Sequence, residues 1–438
     1  MNIILLSGGS GKRLWPLSND IRSKQFIKLF KKDDDSYESM VQRVYRQITT
    51  VDPDAKVTIA TSKTQVSAIR NQLGEKVDIC IEPCRRDTFP AIALAALYLY
   101  DVLKVSLDEA VAICPADPFV ENSYYEAVGK LVNLATSNNA NLTLMGIEPT
   151  YPSEKYGYII PESDENVSKV LEFKEKPDTV TAEKYISQGA LWNAGVFAFK
   201  LGYIVNKAHE LIDFTDYYDL LNKYETLTKI SFDYAVVENE NNIQVMRYSG
   251  EWKDVGTWNM MSEVMTDDTI GNVVLDNECS NTQVINELDI PILCMGCKDM
   301  VIAASSDGIL VCDKERSDYM KSYVEKFDGD VMFAEKSWGI YNVIDIQPGA
   351  MTVKIALQAG SNMKYHSHEL RDEVWTIVSG NGTVVINGEK KKVSAGDIIN
   401  IARGTKHTIF ADTDMNIIEV QVGTEIDKFD KKVFNNDF

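Results

Sequence analysis

The apolar run Ile3-Ile4-Leu5-Leu6 is cut off at once by Ser7-Gly8-Gly9-Ser10-Gly11, and no other stretch constrains the fold as much. Four apolar residues stopped by a turn have the length of a buried first strand. The glycines Gly8, Gly9 and Gly11 let backbone N–H groups approach a polyphosphate closely and form an anion-holding concavity. Lys12 and Arg13 set cations where such phosphates would lie, and Lys24 adds a third. The spacing is not that of a P-loop, which needs four residues between its glycines and Ser or Thr after its Lys, nor that of the G-x-G-x-x-G dinucleotide fingerprint.

Beyond this junction, residues 1–150 alternate between strand-like and helix-like runs. Apolar segments 57–60, 79–81, 111–114 and 142–145 read as buried strands, and 37–48, 64–73, 88–103 and 123–135 as helices. That alternation predicts a Rossmann-like α/β domain with a mostly parallel sheet. Ligands gather at the carboxyl ends of such strands, where Ser7 and Asp117 both fall. Residues 150–265 are less regular and are expected to form the sugar side of a cleft. Short β segments and turns occupy 266–335, with a helix expected at 317–326. From Ser337 the chain turns to strands separated by Gly, Asn and Asp, including the hairpin signal Asn387-Gly388. The division expected is 1–265, a β-rich linker 266–335, and an all-β module 336–438.

At 438 residues the chain is too long for one ordinary core. Its formal charge of −20 excludes nucleic acid and anionic membrane surfaces as partners. Phosphorylated ligands must then be received locally, and residues 12–32 carry seven Lys or Arg against the single Asp20. The N-terminus lacks the basic n-region of a signal peptide, no run reaches the length of a membrane span, and the seven cysteines are scattered. The expectation is a cytoplasmic enzyme. Cys294-Met295-Gly296-Cys297 lies in an apolar run without a second Cys pair, which favours ordinary buried thiols.

GGSGKRLWPLS followed by KQF, EPCRRDTFPAIALA at 82–95, PAD at 115–117, EFKEKP at 172–177, WNAGVF at 192–197 and WKDVGTW at 252–258 occur in this order. Together they resemble the mannose-1-phosphate guanylyltransferase family of sugar-nucleotidyltransferases. The resemblance implies transfer of GMP from GTP to mannose 1-phosphate, releasing pyrophosphate, in a homo-oligomer, with a dimer expected here. In such a reaction the nucleophile is the sugar's own phosphate, so catalysis rests on positioning, charge neutralisation and a metal.

Carried over residue by residue, the resemblance makes Asp117 and Asp254 the Mg²⁺ ligands and Arg13 and Lys24 catalytic cations. It assigns Leu6, Gly8, Gly9, Gly11, Lys12, Arg86 and Gly157 to substrate binding. Lys176 is expected on the sugar phosphate, with Glu175 and Asn193 on sugar hydroxyls. Glu82, at a strand end, suits guanine, whose N1–H and N2 amino group are adjacent donors. Pro118 stands where the family usually has His, and Asp87 where it usually has Asn.

Three of the four histidines, His366, His368 and His407, lie within 42 residues. Gly360, His366-Ser367-His368, Glu373 and Gly380 match the first cupin signature, and Gly396, Gly404 and His407 follow most of the second, with Ala402 and Ala411 in place of Pro and Asn. His366 and His368, two apart on a strand, point to one face. Three imidazoles and the Glu373 carboxylate suit Zn²⁺, Mn²⁺ or iron with open positions. A guanylyltransferase followed by Ser337-Trp338-Gly339-Ile340-Tyr341 and a cupin resembles enzymes joined to type II phosphomannose isomerase, which act on mannose 6-phosphate. Their usual Arg-x-Glu-His-Trp reads Arg371-Asp372-Glu373-Val374-Trp375 here, so an ionisable ring is missing beside the ligand. The alternatives are a cupin that only binds metal or sugar and dimerises the chain, or a transferase for another sugar 1-phosphate.

Overall fold

The computed structural model describes residues 1–8, 12–19, 21–137, 139–327, 331–426 and 430–435. Gly9, Gly11 and the side chain of Lys12, all named above, lie outside the described residues. The chain groups into two compact units, one of Met1–Gly9, Gln25–Val66 and Glu75–Thr266, the other of Ser10–Lys24, Ser67–Gly74 and Asp267–Phe438.

The first unit is built on a nine-stranded sheet. Its order is Asp78–Glu82, Lys56–Ser62, Asn2–Ser7, Ala110–Pro115, Leu191–Lys200, Leu142–Ile147, Ile243–Tyr248, Val167–Lys174 and Tyr158–Pro161. The first four run parallel, as the alternation over 1–150 predicts. Leu191–Lys200 is antiparallel to both neighbours, so the sheet as a whole is mixed. Helix Thr88–Leu97 is buried at all but its first residue, because Phe-Pro-Ala-Ile-Ala-Leu-Ala-Ala-Leu offers no polar face.

The helix expected from Tyr37 begins only at Met40. Ser39 Oγ takes the Gln42 N–H and Gln42 Oε1 takes the Ser39 N–H, a capping box that stops the helix there. Tyr37–Ser39 pairs instead as a strand with Lys28–Lys31.

In the second unit, Trp15, Pro16, Asn19 and Arg22 are held against the linker. Arg22 is buried and gives both terminal nitrogens to Glu287 at 2.8 and 2.9 Å. Asn19 donates to Asp307 at 2.7 Å and Ser305 Oγ to the Pro16 carbonyl at 2.8 Å. Gly308 is required here, since a Cβ would stand 2.4 Å from the Trp15 ring. The seven cations of 12–32 are therefore not all phosphate ligands: Arg22 is spent on Glu287, Lys31 pairs with Asp35 and Lys32 with Asp34, both at 3.2 Å. The linker strands Thr269–Ile270, Gln283–Asn286 and Met300–Ser305 are parallel. Cys294 and Cys297 pack as free thiols in its small core with Val284 and Ile302. The segment expected to be helical forms a 3₁₀ turn, Glu315–Tyr319, and a short helix, Lys321–Val324.

From Phe333 a six-stranded and a five-stranded antiparallel sheet enclose a core of Val353, Ile355, Trp375, Ile377, Val384 and Ile409. Along Arg371–Ser379 and Met415–Gly423 alternate residues point inward. The inward positions are apolar at one end, Ile377, Met415 and Ile417, and polar at the other, Arg371, Glu373, Glu419 and Gln421. No described helix is long and apolar enough to cross a membrane.

Candidate active site and metal centre

Strands Asn2–Ser7 and Ala110–Pro115 pair with Leu6 opposite Pro115, and the Leu6 carbonyl accepts the Ala116 N–H at 3.1 Å. Ser7 and Asp117 thus leave the sheet at one edge. Asp117 is followed by the short strand Pro118–Val120, which pairs antiparallel with Trp252–Asp254 and sets Pro118 opposite Asp254. Asp117 and Asp254 line one cavity of about 240 Å³, together with Gly157, Glu175 and Asn193. Four residues from four separated motifs, and Gly157 with them, are brought together.

Close packing builds the sugar-side wall. A Cβ on Gly157 would stand 2.5 Å from Glu175 Oε2 and 2.9 Å from the Phe173 ring, so only glycine admits this carboxylate. Asn193 N–H donates to the Gly157 carbonyl at 2.8 Å. Lys176, exposed, pairs through Nζ with Glu175. Its φ of 45° lies in the left-handed region, a backbone strain of a kind that gathers at functional sites. Tyr156 packs between Trp192 and Trp252 at ring distances of 4.9 and 5.5 Å.

Other singled-out residues stand apart from the cavity lining. Glu82 is buried, accepts the Tyr224 hydroxyl at 2.8 Å, and is pushed up in pKa by burial, against that hydrogen bond and Arg85. Arg86 reaches the Glu225 carbonyl through Nη2. Asp87 caps helix Thr88–Leu97 through the Thr88 N–H at 2.8 Å with φ of 70° and ψ of −173°, a backbone region otherwise almost confined to glycine. Among the described residues, no atom lies within 4 Å of a would-be Cβ on Gly8. Arg13 is exposed on the turn Lys12–Leu14 and Lys24 opens the turn Lys24–Phe26.

Sequence reasoning missed Asp233, Lys155, Tyr156 and Trp252 in the cavity wall. Asp233 accepts from Asn193 Nδ2 at 2.7 Å, and burial, then the charge of Glu175, push its carboxyl up to about 7. Nothing in Ser231-Phe232-Asp233-Tyr234 marks it, because its neighbours in the pocket come from distant strands.

In the cupin, His366, His368 and His407 present ring nitrogens that all lie within 4.8 Å of one another. His366 opposes His407 across a strand pair. His366 Nδ1 bonds the Lys364 carbonyl at 2.6 Å and His407 Nδ1 the Thr405 carbonyl at 2.9 Å. Carbonyls only accept, so each Nδ1 carries the proton and each Nε2 a lone pair. Burial lowers the pKa of His366, and that of His368 to about 4, which keeps both rings neutral.

His407 Nε2 is buried without a hydrogen-bond partner, and Glu373 Oε2 lies 3.3 Å from it. Two acceptors side by side in a buried site call for a cation between them. Burial alone would raise Glu373, and Arg371, which donates to it, opposes that rise. Arg371, whose role the sequence did not give, donates to Glu373 Oε1 at 3.1 Å and to His368 Nε2 at 3.0 Å. Deeper in, burial and the charge of Glu373 push Glu419 up to about 8.

Comparison with known proteins follows this division. Residues 2–270 match the family model described as nucleotidyl transferase, and 330–436 the one described as mannose-6-phosphate isomerase C-terminal. The xanthan biosynthesis protein XanB of Xanthomonas campestris is 28% identical, covering 98% of this chain and 96% of its own. The mannose-1-phosphate guanylyltransferase ManC of Salmonella typhimurium is likewise 28% identical, with the same coverage of each chain. A crystal structure titled mannose-1-phosphate geranyltransferase, from Thermus thermophilus, superposes with a TM-score of 0.62 at 25% identity, covering 75% of this chain and 99% of that one.

Proposed function

The chain belongs to the nucleotidyl transferase family, and from that premise we propose that it transfers GMP from GTP to mannose 1-phosphate, giving GDP-mannose and pyrophosphate. The observation that carries this reading is the single cavity lined by Asp117, Asp254, Gly157, Glu175 and Asn193. Full-length relatives that carry the guanylyltransferase name support the choice of substrates.

A sugar phosphate oxygen attacks the α-phosphorus, a P–O bond forms, and the bond to the β-phosphate breaks. Asp117 and Asp254 are hard oxygen donors on neighbouring chain segments, a set that fits Mg²⁺. Bound there, the ion would supply positive charge between two anionic substrates. Glu175 and Asn193 hold the sugar ring in reach, which lowers the entropic part of the barrier. Lys176 neutralises the sugar phosphate, and Lys12, Arg13 and Lys24 serve the nucleotide phosphates, as the family resemblance implies. Glu82 selects guanine in this reading, since adenine offers an acceptor at N1 where guanine offers a donor. Pyrophosphate release measured with Mg²⁺ across a matrix of nucleoside triphosphates and sugar 1-phosphates tests it. GTP with mannose 1-phosphate is expected to lead, and equal use of ATP would overturn the guanine assignment.

For the cupin, the facing acceptors His407 Nε2 and Glu373 Oε2 favour a second reading, that His366, His368, His407 and Glu373 hold a divalent transition metal such as Zn²⁺ or Mn²⁺. Such an ion supplies carbonyl polarisation when bound. Isomerisation of mannose 6-phosphate also needs a base to move a proton between C1 and C2. Val374 does not provide one. A coupled assay for fructose 6-phosphate decides between an isomerase and a binding module.

A further inference from the structure

One carboxylate of the cavity is used neither by the family resemblance nor by the chemistry above. Asp233 sits in the four-residue helix Phe232–Ala235 and lines the same cavity as Glu175 and Asn193. Its backbone is fixed from behind. The Phe232 N–H donates to Thr88 Oγ1 at 2.7 Å, the Phe89 N–H to the Ile230 carbonyl at 3.2 Å, and the Ile230 N–H to the Arg86 carbonyl at 3.3 Å. The Phe232 ring is fully buried, 4.7 Å from Phe197 and 6.0 Å from Phe199. Turning Asp233 out to solvent would therefore unpack Phe232 and undo three hydrogen bonds. A carboxylate is rarely kept in such a place without an acceptor's task.

The neighbours define that task. Asn193 Oδ1 accepts the Gly195 N–H at 3.1 Å, which fixes the amide's orientation, and Nδ2 is then the atom that meets Asp233. Gly157 leaves the space that Glu175 Oε2 fills. The wall so formed has two carboxylates, of which Glu175 is paired with Lys176 Nζ, and Lys155 lines the cavity elsewhere. Against the two carboxylates, the part of a ligand that brings donors is suited, and an anionic group is not. Ring hydroxyls of a sugar have that chemistry.

We propose that Asp233 is a sugar-selecting residue, whose carboxylate accepts a ring hydroxyl of the incoming sugar 1-phosphate beside Glu175. This rests on the reading of the cavity as a sugar 1-phosphate site. It goes beyond that reading in naming a second acidic acceptor and two classes of sugar it rejects: the deoxy sugar that lacks this hydroxyl, and the sugar acid whose carboxylate would face two others.

The test uses the full-length enzyme, with Asp233→Asn and Asp233→Ala checked for unchanged thermal unfolding. Asparagine keeps an acceptor for Asn193, so it guards against a folding defect in the alanine variant. KM is measured separately for mannose 1-phosphate and for GTP, and then for a monodeoxy series of mannose 1-phosphates. Removing a hydrogen bond to a charged group is expected to raise the sugar KM about tenfold or more in both variants, leaving the GTP KM within about twofold. One monodeoxy sugar should be used equally well by wild type and Asp233→Ala, because the contact is already gone. An unchanged sugar KM, or a penalty of the same size for every monodeoxy sugar, overturns the proposal while leaving the transferase reading intact. A wild type that turns over no sugar 1-phosphate overturns that reading itself, and the proposal with it.

Discussion

Pro118 lies directly opposite Asp254 in a three-residue antiparallel ladder, and this pairing sets Asp117 and Asp254 in one cavity wall. The residue that departs from the usual family pattern thus sits on the backbone that aligns the two acids, where it offers no side-chain donor or acceptor. Because the acids themselves are kept, Asp117→Asn and Asp254→Asn are each expected to lower kcat by about 10²-fold or more. Steady-state pyrophosphate release at saturating substrates checks this. Near wild-type rates in both variants would remove the metal assignment.

Gly157 and Gly8 make opposite demands. A methyl at 157 collides with Glu175 Oε2, whereas one at 8 meets no atom among the described residues. Gly157→Ala is therefore expected to push Glu175 aside and raise the sugar KM by about tenfold, with the GTP KM little changed. Gly8→Ala should fold with wild-type stability, so any rise in its GTP KM reports close approach of the nucleotide. Paired kinetics and thermal melts of the two variants distinguish these outcomes.

Glu287 is the bidentate partner of the buried Arg22, which also lies over the Phe333 ring at 4.7 Å. Glu287→Gln removes the bidentate charge partner of this guanidinium, leaving Glu335 at 3.9 Å, and is expected to cost about 2 kcal/mol, read by denaturant unfolding. A chain ending at Thr266 lacks Glu287, Ser305 and Asp307, which hold residues 16–22. It is expected to lose nucleotidyl transfer, whereas one ending at Lys336 retains these anchors and should keep it. Full activity in the shorter chain would show that the anchors do not support the glycine turn.

The parts of this molecule legible in the sequence were those written in local chemistry. The buried strand before Gly8, the strand–helix alternation to residue 150 and the His366-Ser367-His368 spacing each carry their signal in adjacent residues. Arg22 reads as one more cation in a basic run, and only the fold brings Glu287 to it from 265 residues away. Asp233 was hidden for the same reason, since Asn193 reaches it from 40 residues away. The capping box at Ser39 and Gln42 was readable, yet the apolar period of 37–48 hid the short strand before it.

The ionisation of Asp233 gives a pH test. Its carboxyl, pushed up to about 7 by burial and by Glu175 and partly opposed by Asn193 and Lys176, takes a proton as pH falls through that value. A protonated carboxyl is a weaker acceptor for a sugar hydroxyl, so the sugar KM should rise below about pH 7. Asp233→Asn cannot titrate and should lose this dependence. The sugar phosphate's own second ionisation acts equally in both proteins, so the difference between the two pH profiles isolates Asp233. Parallel profiles would exclude it as the titrating group.

The cupin makes a separable prediction. With both Nδ1 protons given to carbonyls, His366 and His407 turn bare Nε2 atoms inward, and Glu373 faces one of them at 3.3 Å. One divalent transition metal per chain is expected after reconstitution, measured by elemental analysis. His407→Ala and the double variant His366→Ala/His368→Ala should empty the site, since each removes lone pairs that backbone bonds have aimed at it. Arg371 already donates to His368 Nε2, so Arg371→Met should leave that nitrogen open and tighten metal binding unless the guanidinium is needed to hold Glu373. Pyrophosphate release should be unchanged in all of these variants, because none of the cavity residues Asp117, Glu175, Asn193 and Asp254 belongs to this barrel. A wild type that retains no metal after reconstitution would defeat the site. Metal without fructose 6-phosphate formation would leave the cupin a binding module, as the missing base at Val374 would then explain.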